Sequence, residues 1–137
     1  MLFFKKSGKI ESFVIVTLHT SGMRNITDDE IVYKDGAAEV SSYGIRYTDG
    51  KKERVLQRRA VCDAARVLAI LNDCRLLSWD GFNGPHPKGV LDGTMFRLDA
   101  VVNGEVKIHA EGSQNFPKNY RVLTDGIYEI LSESNEN

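Results

Sequence analysis

Four side chains of types that bind metal ions lie in the C-terminal half of the sequence. His86 and Asp92 belong to a segment rich in glycine and proline, while His109 and Glu111 are two residues apart. Side chains two apart on a strand point to the same face of a sheet, so His109 and Glu111 could approach one ion. Such a spacing is common by chance, and nothing in the sequence brings His86 close. We therefore predict surface histidines and turn-forming aspartates, with no metal site and no cofactor.

Nucleophilic catalysis would require a cysteine or serine beside a histidine. The residues that could combine in this way are Cys62, Cys74, Ser78, Ser113, His19, His86 and His109. Neither cysteine begins a predicted helix, where a thiolate would be stabilised, and the sequence has no Gly-x-Ser-x-Gly turn. Gly112-Ser113 before the last helix could bind an anion, but the sequence does not require this, since such residues occur at a helix start without any ligand. The sequence thus predicts no catalytic residues and leans against an enzyme.

The charge balance of the chain argues against nucleic-acid and membrane partners. Its 18 basic and 19 acidic residues leave a formal net charge of -1, which gives no overall attraction for polyanions. Basic residues cluster at 5–9 and 51–59, and such runs are usually solvated faces. No apolar segment is long enough to span a bilayer, and the first residues lack the order of a secretory signal. These features predict a cytoplasmic protein with free cysteines.

The first half of the chain predicts strands joined by tight turns. Residues 13–18 are β-branched and aromatic, as expected of a central strand. Residues 31–47 predict a hairpin around the Asp-Gly turn at 35–36. A second Asp-Gly turn at 49–50 leads to residues 51–56, whose charges suit a protected edge strand.

Two amphipathic helices are predicted from apolar residues that recur every three or four positions. The first runs from about Arg58 to Arg75 and would carry Cys62 and Cys74 too far apart to form a disulfide. The second opens at residues 115–117, where a proline suits the first turn. Gly126 inside the second helix costs about 1 kcal/mol relative to alanine.

Residues 95–110 predict a hairpin whose register can be argued. A three-residue loop at 102–104 pairs Leu98 with Ile108 and places all apolar side chains on one face. That face is expected to meet the helices.

These elements predict a single α+β domain over residues 1–137. The expected sheet is antiparallel, built from an N-terminal meander and a C-terminal hairpin, with two helices packed on one face. The predicted order is β-β-β-(β)-α-β-β-α. The sequence leaves open whether residues 2–6 add a strand.

A long segment at 80–94 connects the first helix to the hairpin, and long connections in compact domains are often functional. Together with the start of the last helix it concentrates aromatic, acidic and amide side chains. We predict an interaction loop formed by Trp79, Asp80, Phe82, His86, Asp92, Asn115, Phe116 and Tyr120. Its aromatic members are expected to cluster over the end of the hairpin.

These motifs are similar to those of a group of small bacterial proteins with no assigned activity. The resemblance rests on W-D-G-F at 79–82, L-D-G at 91–93, N-G at 103–104 and G-S-Q-N-F-P-K-N-Y at 112–120. It covers a little more than the C-terminal half of the chain. It implies a bacterial single-domain protein and brings no catalytic residues with it.

Three functions are open at this level. The one we favour is a non-enzymatic domain that binds a protein or peptide through the exposed sheet face or residues 80–94. The second is a small-ligand binder or enzyme with a pocket near Trp79, His86 and His109. The third is a homodimer formed through a strand edge or a sheet face.

Overall fold

Seven strands form one sheet and two helices pack on it in the computed structural model, which describes residues 8–22, 25–90 and 93–133. The strands are β1 Phe13–Ser21, β2 Ile26–Lys34, β3 Ala37–Thr48, β4 Lys51–Asp63, β5 Asn83–Gly84, β6 Met95–Val102 and β7 Val106–Ser113. The helices are α1 Ala64–Asp73 and α2 Tyr120–Glu133, and a 3-10 helix covers Leu76–Trp79. The predicted α+β fold is confirmed, with the order β-β-β-β-α-β-β-α. The possible strand at residues 2–6 lies outside the described residues.

The strand order across the sheet is β4-β3-β2-β1-β6-β7-β5. β1 is central, as predicted, because β2 and β6 pair with its two sides. Beyond β7, the sheet ends in β5, which pairs parallel to it over two residues. The Asp80 carboxylate also accepts a hydrogen bond from the His109 amide at 2.9 Å. Among the described residues, the sheet therefore has one long free edge, which is β4.

Apolar side chains on the helix side of the sheet form the core. They alternate along each strand with outward-facing side chains, as the two-residue period of a strand requires. The buried strand residues at the centre are Val16, Leu18, Ile31, Leu98, Ala100, Ile108 and Ala110. The helices cover them with Val67, Leu71, Leu123, Ile127 and Ile130. Burial of each large aliphatic side chain contributes about 1.5–3 kcal/mol.

α1 begins later than the sequence pattern predicted, because the last residues of β4 continue the strand. Cys62 therefore lies in β4, whereas Cys74 caps the C-terminus of α1, and both cysteines are free. Asp63 ends the strand and starts the helix: its carboxylate accepts a hydrogen bond from the Ala65 amide at 3.0 Å. A side chain that caps the first turn in this way typically stabilises a helix by about 1 kcal/mol.

β6 and β7 form the predicted hairpin in a register displaced by two residues. Leu98 pairs with Ala110 instead of Ile108, so the loop is 103–105 instead of 102–104. Gly104 has a φ of 87° in this loop, a conformation that glycine adopts without steric cost. Because side chains alternate with a period of two, a shift by two leaves the predicted apolar face unchanged.

α2 begins at Tyr120, later than predicted, and continues without a break through Gly126. A Cβ atom at position 126 would lie 2.8 Å from Cδ1 of Ile70 in α1. The missing side chain thus lets the two helices approach closely. The guanidinium of Arg66 in α1 also donates two hydrogen bonds of 2.7 Å to the Glu133 carboxylate in α2.

Candidate functional site

Of the aromatic residues of the predicted interaction loop, Trp79 lies in the core, and Phe82, Phe116 and Tyr120 are partly buried against it. Trp79 is 1% exposed, and its ring stacks on that of Tyr120 at 5.9 Å between centroids. Tyr120 lies 4.7 Å from Phe116 and 5.1 Å from Phe96, and Phe82 lies 6.2 Å from Phe96. Such ring pairs add about 0.5–1.5 kcal/mol each beyond burial. The predicted cluster is present, and its role is to anchor the segment after α1 to the hairpin and α2.

The position of Asn115 accounts for two glycines, Gly112 in the same motif and Gly84 in β5. Its side-chain amide donates to the Pro85 carbonyl at 3.2 Å. Its own carbonyl oxygen would lie 2.1 Å from a Cβ atom at Gly112 and 2.8 Å from one at Gly84. The backbone can pass this closely only where no side chain intervenes. Both glycines are therefore required by close packing of the backbone around Asn115.

His109 and Glu111 share the sheet face that lies opposite the helices, here called the open face. His109 Nδ1 is 2.6 Å from Asp99 Oδ1, and its Nε2 is 3.2 Å from Glu111 Oε1. These two hydrogen bonds, with that to Asp99 the stronger cause, raise the pKa of His109. His86 makes other contacts, and Asp92 lies outside the described residues. Among the residues that are described, no group of three or more histidine, cysteine, aspartate or glutamate side chains could hold a metal ion.

Ser113 and His86 are in contact, which is one of the serine-histidine combinations considered from the sequence. Ser113 Oγ lies 2.8 Å from His86 Nδ1, and His86 Nε2 contacts the Val90 carbonyl. Because a carbonyl only accepts, Nε2 carries the proton and Nδ1 accepts from the serine hydroxyl. The adjacent Gln114 amide donates to the Thr94 carbonyl at 2.8 Å, so it cannot stabilise an oxyanion at Ser113. The exposed pair ties the loop to the end of β7.

The two cysteines lack the surroundings of a nucleophile. Burial raises the pKa of the Cys74 thiol to about 12, and burial is also the main cause that raises the pKa of Cys62. Reactivity requires the thiolate, so both thiols stay largely protonated and unreactive at neutral pH.

The pocket that we considered near Trp79 and His109 is not formed by those two side chains. The Trp79 ring lies on the helix side of the sheet against Tyr120. The His109 ring lies on the open face, where it contacts Asp99. The sheet itself separates them.

A cleft of about 480 Å³, called here the Asp29 cleft, lies between α2 and the helix side of the sheet. This volume falls within the range of about 300–1,000 Å³ that is usual for small-molecule sites. Asp29, Ser42 and Arg58 form one row across β2, β3 and β4, because Asp29 pairs with Ser42 and Ser42 with Arg58. The other lining residues are Leu18, Thr20, Thr27, Gln57, Thr124, Ile127, Tyr128 and Leu131.

Asp29 is a carboxyl group at an inward-facing position of the sheet. Burial is the main cause that raises its pKa, and Asp28 raises it further, whereas a hydrogen bond with Ser42 lowers it. Sequence reasoning missed this residue because the charged segment 26–30 was not predicted as a strand. The available signal was Ile31, since a residue two positions before a buried strand residue points to the same side.

The open face carries a network of ion pairs that reaches the edge of the sheet. Asp28 accepts from His19 Nδ1 at 2.5 Å and lies 3.3 Å from Arg54 Nε. The Arg54 guanidinium lies 3.9 Å from the centre of the Tyr43 ring. Arg59 Nε donates to Ser41 Oγ at 2.9 Å. Most of the charge on this face is therefore internally compensated.

The free edge at β4 is less well compensated. Five of its 13 residues are basic and two are acidic. Lys51, Lys52 and Arg58 form no ion pair within the described part of the chain. On the open face beside them, Tyr47 is 62% exposed and Leu56 is 45% exposed. An unpaired backbone edge, excess positive charge and exposed apolar groups thus coincide.

No protein-family model, curated protein or solved structure matches this chain. The resemblance to small bacterial proteins accordingly stays a prediction. Neither of the described helices is long and apolar enough to cross a membrane.

Proposed function

We propose that this chain is a protein-binding domain that pairs an acidic, extended segment of its partner with the free edge of β4. The observation that carries the proposal is this edge itself. It has 13 residues at the end of the strand order, with five basic side chains against two acidic ones. An edge strand offers unpaired backbone donors and acceptors to an added strand.

The side chains of β4 select the charge of the added strand. Oppositely charged residues that face each other across neighbouring strands contribute roughly 0.2–1 kcal/mol each, and like charges repel. Lys51, Lys52 and Arg58 have no ion pair within the described residues, so acidic residues of a partner would meet uncompensated charge. Tyr47 and Leu56 add apolar contact area on the open face.

The same charges argue against the homodimer considered from the sequence. Two copies of β4 paired about a two-fold axis would bring together ten basic and four acidic side chains, and this excess of positive charge opposes their association. The edge is thus protected against a second copy while it stays open to an acidic segment.

The proposal is tested with a synthetic peptide of alternating glutamate and valine, by calorimetry and by amide hydrogen exchange. We expect binding that protects the outward amides of β4 and weakens as salt is added. Lys51→Glu with Lys52→Glu should reduce the affinity by about tenfold or more. The matched control is Lys88→Glu with Lys107→Glu, which makes the same change in net charge away from β4 and should keep the affinity.

Three results would overturn the proposal. One is equal affinity in the two charge-reversed variants. Another is tighter binding of a single-stranded oligonucleotide of the same charge, which would indicate a nucleic-acid surface. The third is a stable dimer by light scattering with β4 amides protected in the free protein.

A further inference from the structure

We infer that the Asp29 cleft binds a free α-amino acid with an apolar side chain, whose ammonium group meets Asp29 and whose carboxylate meets Arg58. This inference shares Arg58 with the proposed function but does not rest on it, because Lys51 and Lys52, which the peptide test reverses, do not line the cleft. Charge reversal at those two lysines should leave the amino-acid site intact.

The row of Asp29, Ser42 and Arg58 sets the distance between the two charges. Neighbouring strands lie about 4.8 Å apart, so two steps separate the backbones of Asp29 and Arg58 by about 10 Å. The two side chains form no ion pair with each other within 4 Å. The gap suits a small group that carries a positive and a negative charge on one carbon atom.

Asp29 supplies the site for the positive charge. It lines the cleft and is half-buried, and burial removes water from the carboxylate while no ion pair within the described residues supplies a cation. A buried charge is costly unless it is paired, and an ammonium group restores the pairing through charge-assisted hydrogen bonds. The Ser42 hydroxyl beside it offers a further acceptor.

Arg58 supplies the site for the negative charge. Its side chain is exposed at the rim of the cleft and makes no ion pair within the described residues. A guanidinium group binds a carboxylate through two parallel hydrogen bonds, which fixes the orientation of the ligand.

α2 and β1 supply an apolar wall for the ligand side chain. Leu18, Ile127 and Leu131 line the inner part of the cleft, and the Tyr128 ring lies at its mouth with 66% of its surface exposed. Removal of apolar ligand surface from water then adds to affinity in proportion to area. We therefore expect phenylalanine and leucine to bind better than glycine.

The test is calorimetric titration of the protein with L-phenylalanine, phenethylamine, which lacks the carboxylate, and N-acetyl-phenylalanine, which lacks the ammonium. We expect saturable binding of L-phenylalanine and at least tenfold weaker binding of both analogues. Asp29→Asn should remove the preference for the ammonium group, and Arg58→Gln the preference for the carboxylate. Lys107→Gln is the matched control, since Lys107 is an exposed cation of β7 outside the cleft, and it should bind as the wild type does.

The inference is overturned if no apolar amino acid binds the folded wild-type protein at millimolar concentration. It is also overturned if Arg58→Gln binds L-phenylalanine and phenethylamine in the wild-type ratio. Arg58 is exposed, so its replacement tests the site independently of the change in stability that Asp29→Asn causes.

Discussion

At the scale of single residues, Asp29 occupies a position that the alternation of a strand reserves for an apolar side chain. Its neighbours on the inner face in β1 and β2 are Leu18 and Ile31, both of which are buried. A carboxyl group is retained there at a cost in stability, because burial disfavours its charged form. A residue that lowers stability and lines a cleft is a candidate for ligand binding.

Asp29→Asn is expected to raise stability at neutral pH. Because the folded pKa of Asp29 lies above its ordinary value of 3.8, the unfolded chain releases this proton first. The contribution of protonated Asp29 to the free energy of unfolding is therefore fully present below pH 3.8 and is lost as the pH rises through the folded pKa. Asparagine keeps the shape without the charge. Urea unfolding from about pH 3 to pH 8 should show a smaller fall across this window in the variant.

The control for this measurement is Asp125→Asn, at an exposed position on α2. It should reproduce the wild-type dependence of stability on pH. A fall in stability of Asp29→Asn equal to that of the wild type would mean that Asp29 is not a source of the dependence.

At the scale of elements, the alternation of apolar and polar residues predicted which face of a strand is buried, but not the register of the strands or where a helix begins. The apolar face of the β6–β7 hairpin was predicted correctly although its register was displaced by two residues, because only odd displacements change the face. The start of α1 was misplaced because a buried alanine at position 60 fits both the strand period and the helix period. The cap at Asp63 carries the information that distinguishes them.

Gly126→Ala tests the contact between the two helices. Alanine would stabilise an isolated helix by about 1 kcal/mol, but its Cβ atom would lie 2.8 Å from Ile70 Cδ1. Overpacking of this kind costs about 1–3 kcal/mol, so we expect a net loss of roughly 1 kcal/mol in the free energy of unfolding. Chemical denaturation measures it.

The same substitution in an Ile70→Val background should behave differently. Valine removes Cδ1, the nearest atom at 2.8 Å, but keeps Cγ1 and Cγ2 at 3.1 Å, so Gly126→Ala should cost less stability there than in the wild type. A double-mutant cycle with no coupling between the two positions would contradict the close contact.

At the scale of the whole molecule, the sequence predicted the fold class and the number of helices, but not the Asp29 cleft. Periodicity identifies which face of an element is apolar, and that is enough for the layer arrangement. The cleft depends on where α2 leaves the sheet uncovered, which no local pattern encodes. The aromatic cluster of the predicted interaction loop depends likewise on packing between distant segments, since the rings of Trp79 and Phe116 lie against that of Tyr120.

A chain divided between Gly89 and Val90 is expected to reassemble from two fragments. Neither fragment should fold alone, because β1 pairs with β6 across the division and Trp79 stacks on Tyr120 across it. Mixing should restore cooperative unfolding and shift the Trp79 fluorescence to shorter wavelength as its ring is buried. Cooperative unfolding of residues 1–89 alone would contradict this dependence.

The central position of β1 has a consequence for synthesis on the ribosome. Strands β1 to β4 emerge early and can pair in order, but the other side of β1 has no partner until β6 has left the exit tunnel. At about 5–20 residues per second, this leaves the apolar strand unpaired for several seconds. During that interval β1 is a second exposed edge strand, and it lacks the basic residues that protect β4 against pairing with other chains. We therefore expect the chain to be most prone to aggregation, and most readily bound by chaperones, before translation ends.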